Sequence, residues 1–342
     1  MSHHYIVMDL EWNQRPSYKP SADDGLPFEI IEIGAVKLND DLQIVSEFQR
    51  LIVPHVYKKL HKKIAEVTHL TMDELCEKGE DFLDVMEEFL EWCGDDYTFC
   101  TWGSMDLTEL QRNMVYHGME LPFAPPVLYY DLQKIYGLIR GDKAAESLDT
   151  VVGELEIPID ENRPFHRAED DAWYTALVMQ KMGFYNKENY ISVDYYQLPD
   201  EEDEAYLLHF PDYDKMVSHP FDSREEALQD RHLTQLICCK CSRPLRKKIR
   251  WFSNNQRYYY CLATCPEHGY VKGKIRIKRS DDGSYFAVKT TKMTDQQGVD
   301  IIVGKKDDIR KKRAERSRRI RQAAAQARKN AGQLTRRKIL EK

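Results

Sequence analysis

Asp9 and Glu11 stand two residues apart in the apolar run Tyr5-Ile-Val-Met-Asp-Leu-Glu-Trp12. In a strand, residues i and i+2 point to the same side, so both carboxylates leave the chain together. An acidic pair late in an apolar strand is costly unless something neutralises it, and a divalent cation does this well. Two Mg²⁺ or Mn²⁺ ions roughly 4 Å apart, the arrangement that serves hydrolysis of phosphate esters, need carboxylate oxygens converging from several elements. Two further candidates lie at element boundaries: Asp106, where a strand turns into a helix, and the stretch His166-Arg-Ala-Glu-Asp-Asp171 at another helix start. A single Asp in such a place serves equally well as a helix N-cap; the weight lies in the set.

A second group of metal-ligand types sits near the C-terminus. Of the eight cysteines, five (Cys238, Cys239, Cys241, Cys261 and Cys265) crowd into 28 residues. Cys238-Cys-Lys-Cys241 and Cys265-Pro-Glu-His268-Gly269 read as two knuckles separated by enough chain for a hairpin, a pattern that resembles a zinc ribbon. Cys238, Cys241 and Cys265 are three expected ligands of one structural Zn²⁺, with His268 or Cys261 as the fourth. Cys239 reads as a bystander. Cys76, Cys93 and Cys100 read as buried reduced thiols.

The elements that must position these residues follow from periodicity. Tyr5–Trp12 reads as a strand with Tyr5, Val7, Asp9 and Glu11 on one face and Ile6, Met8 and Leu10 on the other. Glu29–Leu38 and Ile44–Val53 suggest an antiparallel meander, after a loop over Arg15–Pro27. Helices are expected over Asp81–Trp92, Asp106–Tyr116, Leu132–Ile139 and Ala168–Lys181, a short one after Ser147, and strands over Tyr97–Thr101 and Val127–Tyr130. A meander followed by strand–helix alternation predicts an α/β domain, a mixed sheet with helices on both faces.

Asp-Leu-Glu (9–11), Trp-Gly-Ser-Met-Asp (102–106) and His166-Arg-Ala-Glu-Asp-Asp171 together resemble the three motifs of the DEDDh 3′–5′ exonucleases, which have a ribonuclease-H-like fold. The Trp-Gly before Asp106 is similar to the Eri-type and KapD-like branch associated with RNA 3′ ends. Thr68-His-Leu-Thr71 stands where many members have Thr-Gly-Ile-Thr. The resemblance covers about residues 4–185. It implies Asp9, Glu11, Asp106 and Asp171 as ligands of two Mg²⁺ or Mn²⁺ ions and His166 as general base. The family's His and Asp are five apart, which selects Asp171 over Asp170. The implied reaction is hydrolysis of the last phosphodiester at a 3′ end, releasing a nucleoside 5′-monophosphate. Trp12 and Trp102 are candidates for stacking on a terminal base, with a core role as the alternative.

The net charge of −7 hides a division. Residues 1–230 carry 19 Lys and Arg against 48 acids, whereas residues 231–342 carry 31 against 9, a balance of +22. Lys272, Lys274, Arg276 and Lys278 would share one face of a strand, suited to a phosphate backbone. The expected organisation is an exonuclease domain (1–185), an acidic, aromatic-containing linker (186–235) that packs partly on it, a basic zinc-ribbon-like domain (236–304) and a basic helical tail (305–342). Without an export signal or a long apolar run, a cytoplasmic protein that does not cross a membrane is expected. Its expected partner is nucleic acid, single-stranded RNA before DNA. The competing readings are a DNA exonuclease of repair or proofreading and a non-catalytic RNA- or ribosome-binding scaffold.

Overall fold

The computed structural model describes residues 3–15, 26–141, 145–184, 190–200, 205–255 and 257–340, with side chains as far as residue 324. The chain divides into two units, Met1–Leu198 and Pro199–Lys342. The first is built on a six-stranded sheet in the order β3-β2-β1-β4-β5-β6. Strands β1 (His4–Gln14), β2 (Phe28–Leu38) and β3 (Ile44–Leu51) form the antiparallel meander. Strands β4 (Tyr97–Thr101) and β5 (Leu128–Asp131) extend it in parallel with β1, and β6 (Ser192–Val193) closes the edge.

The alternation in β1 partitions the core. Ile6, Met8 and Leu10 pack with α3 (Phe82–Cys93) and α4 (Asp106–Tyr116) on one side. Tyr5 and Val7 pack on the other with α5 (Leu132–Arg140), α6 (Leu148–Glu154) and α7 (Ala168–Lys181). Asp9 and Glu11 therefore lie on the α7 side. Two short helices, α1 (Lys62–Thr68) and α2 (Met72–Lys78), join β3 to α3 and had no clear periodicity to announce them. Cys93 and Cys100 are buried as expected, but Cys76 is exposed because it lies on the outer side of α2.

The expected linker is not one body. Asp194 belongs to the first unit, its buried carboxylate accepting hydrogen bonds from Thr108 Oγ1 (2.6 Å) and Gln111 Nε2 (2.8 Å). From Tyr206 onward the same segment belongs to the second unit: β8 (Tyr213–Val217) joins a second six-stranded sheet by pairing with distant residues 288–292, and β7 (Tyr206–His209) pairs in turn with β8 as the edge strand. Residues 201–204 of the acidic run, and most of the loop after Arg15, lie outside the described residues. The second unit continues through α8 (Arg224–Gln229), α9 (Arg231–Thr234), the two-residue pair β9 (Leu236–Ile237) and β10 (Pro244–Leu245), and strands β11 (Lys247–Ser253), β12 (Tyr258–Cys265), β13 (Gly269–Arg279) and β14 (Tyr285–Met293). Its sheet order is β11-β12-β13-β14-β8-β7. Ser223 caps α8 by accepting from the Glu226 N–H at 3.1 Å, the contact of a Ser-x-x-Glu capping box.

The terminal helix α10 (Gln296–Leu340) begins nine residues before the expected start at Lys305. The reason is apolar: Val299 and Ile302 pack on Leu262 and fix the first turns to the sheet. Among the described residues, no helix is long and apolar enough to cross a membrane.

Helix α7 approaches β2 as closely as a helix can. A Cβ on Gly34 would collide with main-chain atoms of Ala168 and Glu169, and Gly34 is the cross-strand partner of Asp9. Gly34→Ala must push the start of α7 outward. We expect a loss of about 1–3 kcal/mol of stability in urea unfolding, the range for overpacking; unchanged stability would contradict this contact.

Candidate active site and a second metal centre

The first β-strand, the start of α4 and the start of α7 meet at one end of the first sheet. Oxygens of Asp9, Glu11 and Asp171 lie within 4.8 Å of one another. Asp106, the first residue of α4, is buried beside them but outside that triangle. Its carboxylate is held by its own N–H and that of Leu10. The His166 N–H donates to both oxygens of Asp171, at 3.2 Å each. His166 takes the left-handed backbone conformation (φ 71°), and its imidazole is exposed. Asp170 turns away, toward Arg163 Nη1 at 3.5 Å.

These acids suffer from their neighbourhood. Burial pushes Asp9 well above the usual carboxylate range, and the charges of Asp106, Asp171, Glu11 and Glu32 push it further. Glu11 is raised to about 8 by burial and then by Asp171, Glu32 and Asp106. Burial raises Asp106 to about 7 and Asp171 to about 6, against their hydrogen bonds to main-chain N–H groups. A group of hard oxygen donors that repel one another fits Mg²⁺ or Mn²⁺, whose charge replaces the missing counter-charge.

Three supports of this site are not evident from the motifs. Glu32, the cross-strand partner of Glu11, is buried and grips Arg167: Arg167 Nε donates to its two oxygens at 3.2 and 3.0 Å and Nη2 at 2.7 Å. The clamp fixes the residue after His166 to β2. Glu29 accepts the N–H groups of His55, Val56 and Tyr57, and buried Asn13 accepts from the His61 N–H at 2.9 Å while donating to the Lys59 carbonyl at 3.0 Å. Together they fasten the loop after β3 beside the end of β1. The signal for all three was polar residues inside apolar strand runs, which need a partner when buried.

Trp12 is half-buried against Phe28, with ring centroids 5.6 Å apart, and Trp102 packs on the α7-side core near Tyr136. Both therefore have core contacts. In the second unit, Sγ of Cys238, Cys241 and Cys265 and a ring nitrogen of His268 lie within 4.8 Å of one another. His268 Nδ1 is 3.5 Å from Cys265 Sγ and 3.7 Å from Cys238 Sγ. Cys261 is not in the group. It lies four residues before Cys265, about 13 Å along the strand, and its Sγ fills the space beside Gly273 and Trp251. Burial would raise the Cys265 thiol, but N–H groups of Glu267 and His268 and the His268 ring bring it down to about 6. Three thiols and an imidazole, one thiol already acidified, fit a structural Zn²⁺.

A mixed sheet of this order with acids gathered at one end is the ribonuclease-H-like exonuclease fold. Residues 7–179 match the RNase T family, described as an exonuclease, and the chain belongs to it. It is a DEDDh 3′–5′ exonuclease, a divalent-metal-dependent hydrolase of phosphodiester bonds. The chain is 30% identical over 145 residues, 42% of its length, to the probable 3′–5′ exonuclease KapD of Bacillus subtilis (strain 168), covering 67% of that protein. It is also 30% identical over 180 residues, 52% of its length, to DNA polymerase III PolC-type of the same organism, covering 11% of that protein. Among solved structures, the nuclease domain of 3′hExo, a DEDDh family member bound to rAMP, aligns with 57% of this chain and 97% of its own, at 20% identity and a TM-score of 0.46.

Two outcomes follow from the charge balance. The raised carboxylates hold protons in the metal-free folded state that the unfolded chain has already released. Stability of the metal-free protein should therefore fall as pH rises from about 4 toward 8, and added Mn²⁺ should restore it. Mn²⁺ affinity should rise by up to about tenfold per pH unit for each proton displaced. Calorimetry in buffers of different ionisation enthalpy measures that proton release; release that does not decline between pH 6 and pH 8.5 would contradict the shifts. In the second unit, Cys265→Ser should abolish bound zinc measured by metal analysis, whereas Cys261→Ser should retain it.

Proposed function

We propose that this protein removes nucleotides one at a time from the 3′ end of single-stranded nucleic acid, RNA in preference to DNA, and releases nucleoside 5′-monophosphates. The observation that carries this reading is the meeting of Asp9, Glu11 and Asp171, with Asp106 beside them, at the turn that bears His166. The four acids would hold two Mg²⁺ or Mn²⁺ ions, which when bound supply charge neutralisation at the attacked phosphate and acidify a water molecule. His166 accepts a proton from the attacking water at its imidazole, the side chain suited to proton exchange near neutral pH. Its exposure gives the ring access to substrate, and the Asp171 carboxylate fixes its main chain, so base and ligand move as one unit.

The preference for RNA is supported by Trp102-Gly103 before Asp106, the feature similar to the branch associated with RNA 3′ ends. Trp12 and Trp102 are proposed to edge the terminal base while keeping their core contacts. One structural Zn²⁺ on Cys238, Cys241, Cys265 and His268 would pin the loop after β9 to the end of β12, and its thiolates support a reducing, cytoplasmic setting. The proposed organisation keeps the nuclease unit acidic and assigns attraction of the polyanion to the second unit, with α10 as its longest basic element, about 68 Å at 1.5 Å per residue.

With Mg²⁺ or Mn²⁺, 5′-labelled single-stranded RNA should shorten from its 3′ end faster than matched DNA. Asp9→Ala should abolish the shortening and His166→Ala should slow it by about 10²–10⁴-fold. Binding of RNA without any shortening would favour the scaffold reading. Ending the chain after Arg310 removes 13 Lys and Arg and 2 acids; at low salt this should weaken RNA binding and flatten its salt dependence. Unchanged affinity would remove α10 from the tether.

A further inference from the structure

The second sheet has one face packed on α8, α9 and the cysteine group; its other face carries charge and rings. Along β13, Val271, Gly273, Ile275 and Ile277 are buried, while Lys272, Lys274, Arg276 and Lys278 take the opposite side. Side chains two apart on a strand are about 6.7 Å apart, a spacing close to that of successive phosphates in an extended polynucleotide. On β12, Tyr258 is the cross-strand partner of Arg276 and Tyr260 that of Lys274, both rings half-buried on this same face. Lys274 Nζ lies 4.8 Å from the Tyr258 ring centroid and the Arg276 guanidinium 5.7 Å from it. Helix α10, seated by Val299 and Ile302 on Leu262, brings Lys305 Nζ to 4.2 Å from the Tyr260 ring. Leu262 is the cross-strand partner of Lys272, so the helix closes that end of the row.

We propose that Lys274, Arg276, Lys278 and Lys305, with Tyr258 and Tyr260, form a binding track for one extended single strand of nucleic acid. Its phosphates follow β13 and its bases lie over the two rings. The proposal rests on the exonuclease reading for the identity of the polyanion, and it gives the second unit its part in that reading. Cations stacked on rings are held in place, so less side-chain entropy is lost when a phosphate arrives. The rings select the partner. A duplex keeps its base faces inside its own stack and curves away from a straight row, and an acidic peptide satisfies the cations but leaves the rings unused.

The test uses the full chain carrying Asp9→Asn, without added divalent metal, and measures anisotropy of a short fluorescein-labelled oligouridylate and of an RNA duplex across salt. Lys274→Ala with Arg276→Ala should reduce the slope of log affinity against log salt for the single strand by about 1.4, at about 0.7 per phosphate contact. Tyr258→Leu with Tyr260→Leu should weaken single-strand binding about tenfold or more at an unchanged slope, while leaving duplex binding alone. The corresponding Phe variants should bind as the parent does. Parental binding by both the cation and the leucine variants overturns the track, as does an equal loss for strand and duplex in the leucine variant. Cleavage is scored separately in chains with Asp9 intact: shortening of RNA together with unaltered binding by the track variants rejects the track alone. Weakened binding without any cleavage rejects the exonuclease reading and leaves the track.

Discussion

Everything in the first unit depends on bringing mutually repelling carboxylates together and keeping them there. Asp9 and Glu11 share a strand face, but they become a site only when α7 lies close enough for Asp171 to join them. Gly34 makes the approach possible by offering no side chain where the main chain of Ala168 and Glu169 passes. The cost appears as carboxylates raised well above their ordinary range by burial and by one another. A site assembled this way binds protons or cations readily, which is the electrostatic basis of its metal dependence.

The same region shows how charge is handled when it must be buried. Glu32 would add to the repulsion around Glu11, yet it is held by two-pronged contact with Arg167. Glu29 spends its charge on three main-chain N–H groups of the loop after β3. Charge-assisted contacts of this kind order the chain around them, so the turn bearing His166 and the loop beside β1 are fixed by acids that are not themselves among the candidate ligands.

Much of this was legible in the residues. The pleat of β1 put Asp9 and Glu11 on one face, and α4 and α7 run between the residues their periodicity indicated. The clamps were hidden because a local pattern shows that Glu32 needs a partner without showing that it is Arg167, 135 residues away. Strands β7 and β8 were hidden for a similar reason: the stretch around them is acidic and irregular, and they are strands because β14 offers an edge to β8 and β8 in turn offers one to β7. Cys261 and His268 were equal candidates as zinc ligands because spacing alone does not say which end of β12 the first knuckle meets. The division of charge was fully visible in the sequence, and its counterpart in the fold is a second sheet with one basic face.

The most direct measurement is the stoichiometry of Mn²⁺ bound to the full chain, read by electron paramagnetic resonance, with Asp171→Asn as comparison. Two ions per chain are expected in the parent protein. In the variant at least one ion should be lost while the circular dichroism spectrum stays the same. Identical Mn²⁺ binding in parent and variant would contradict the claim that the approach of α7 to β2 completes the metal site.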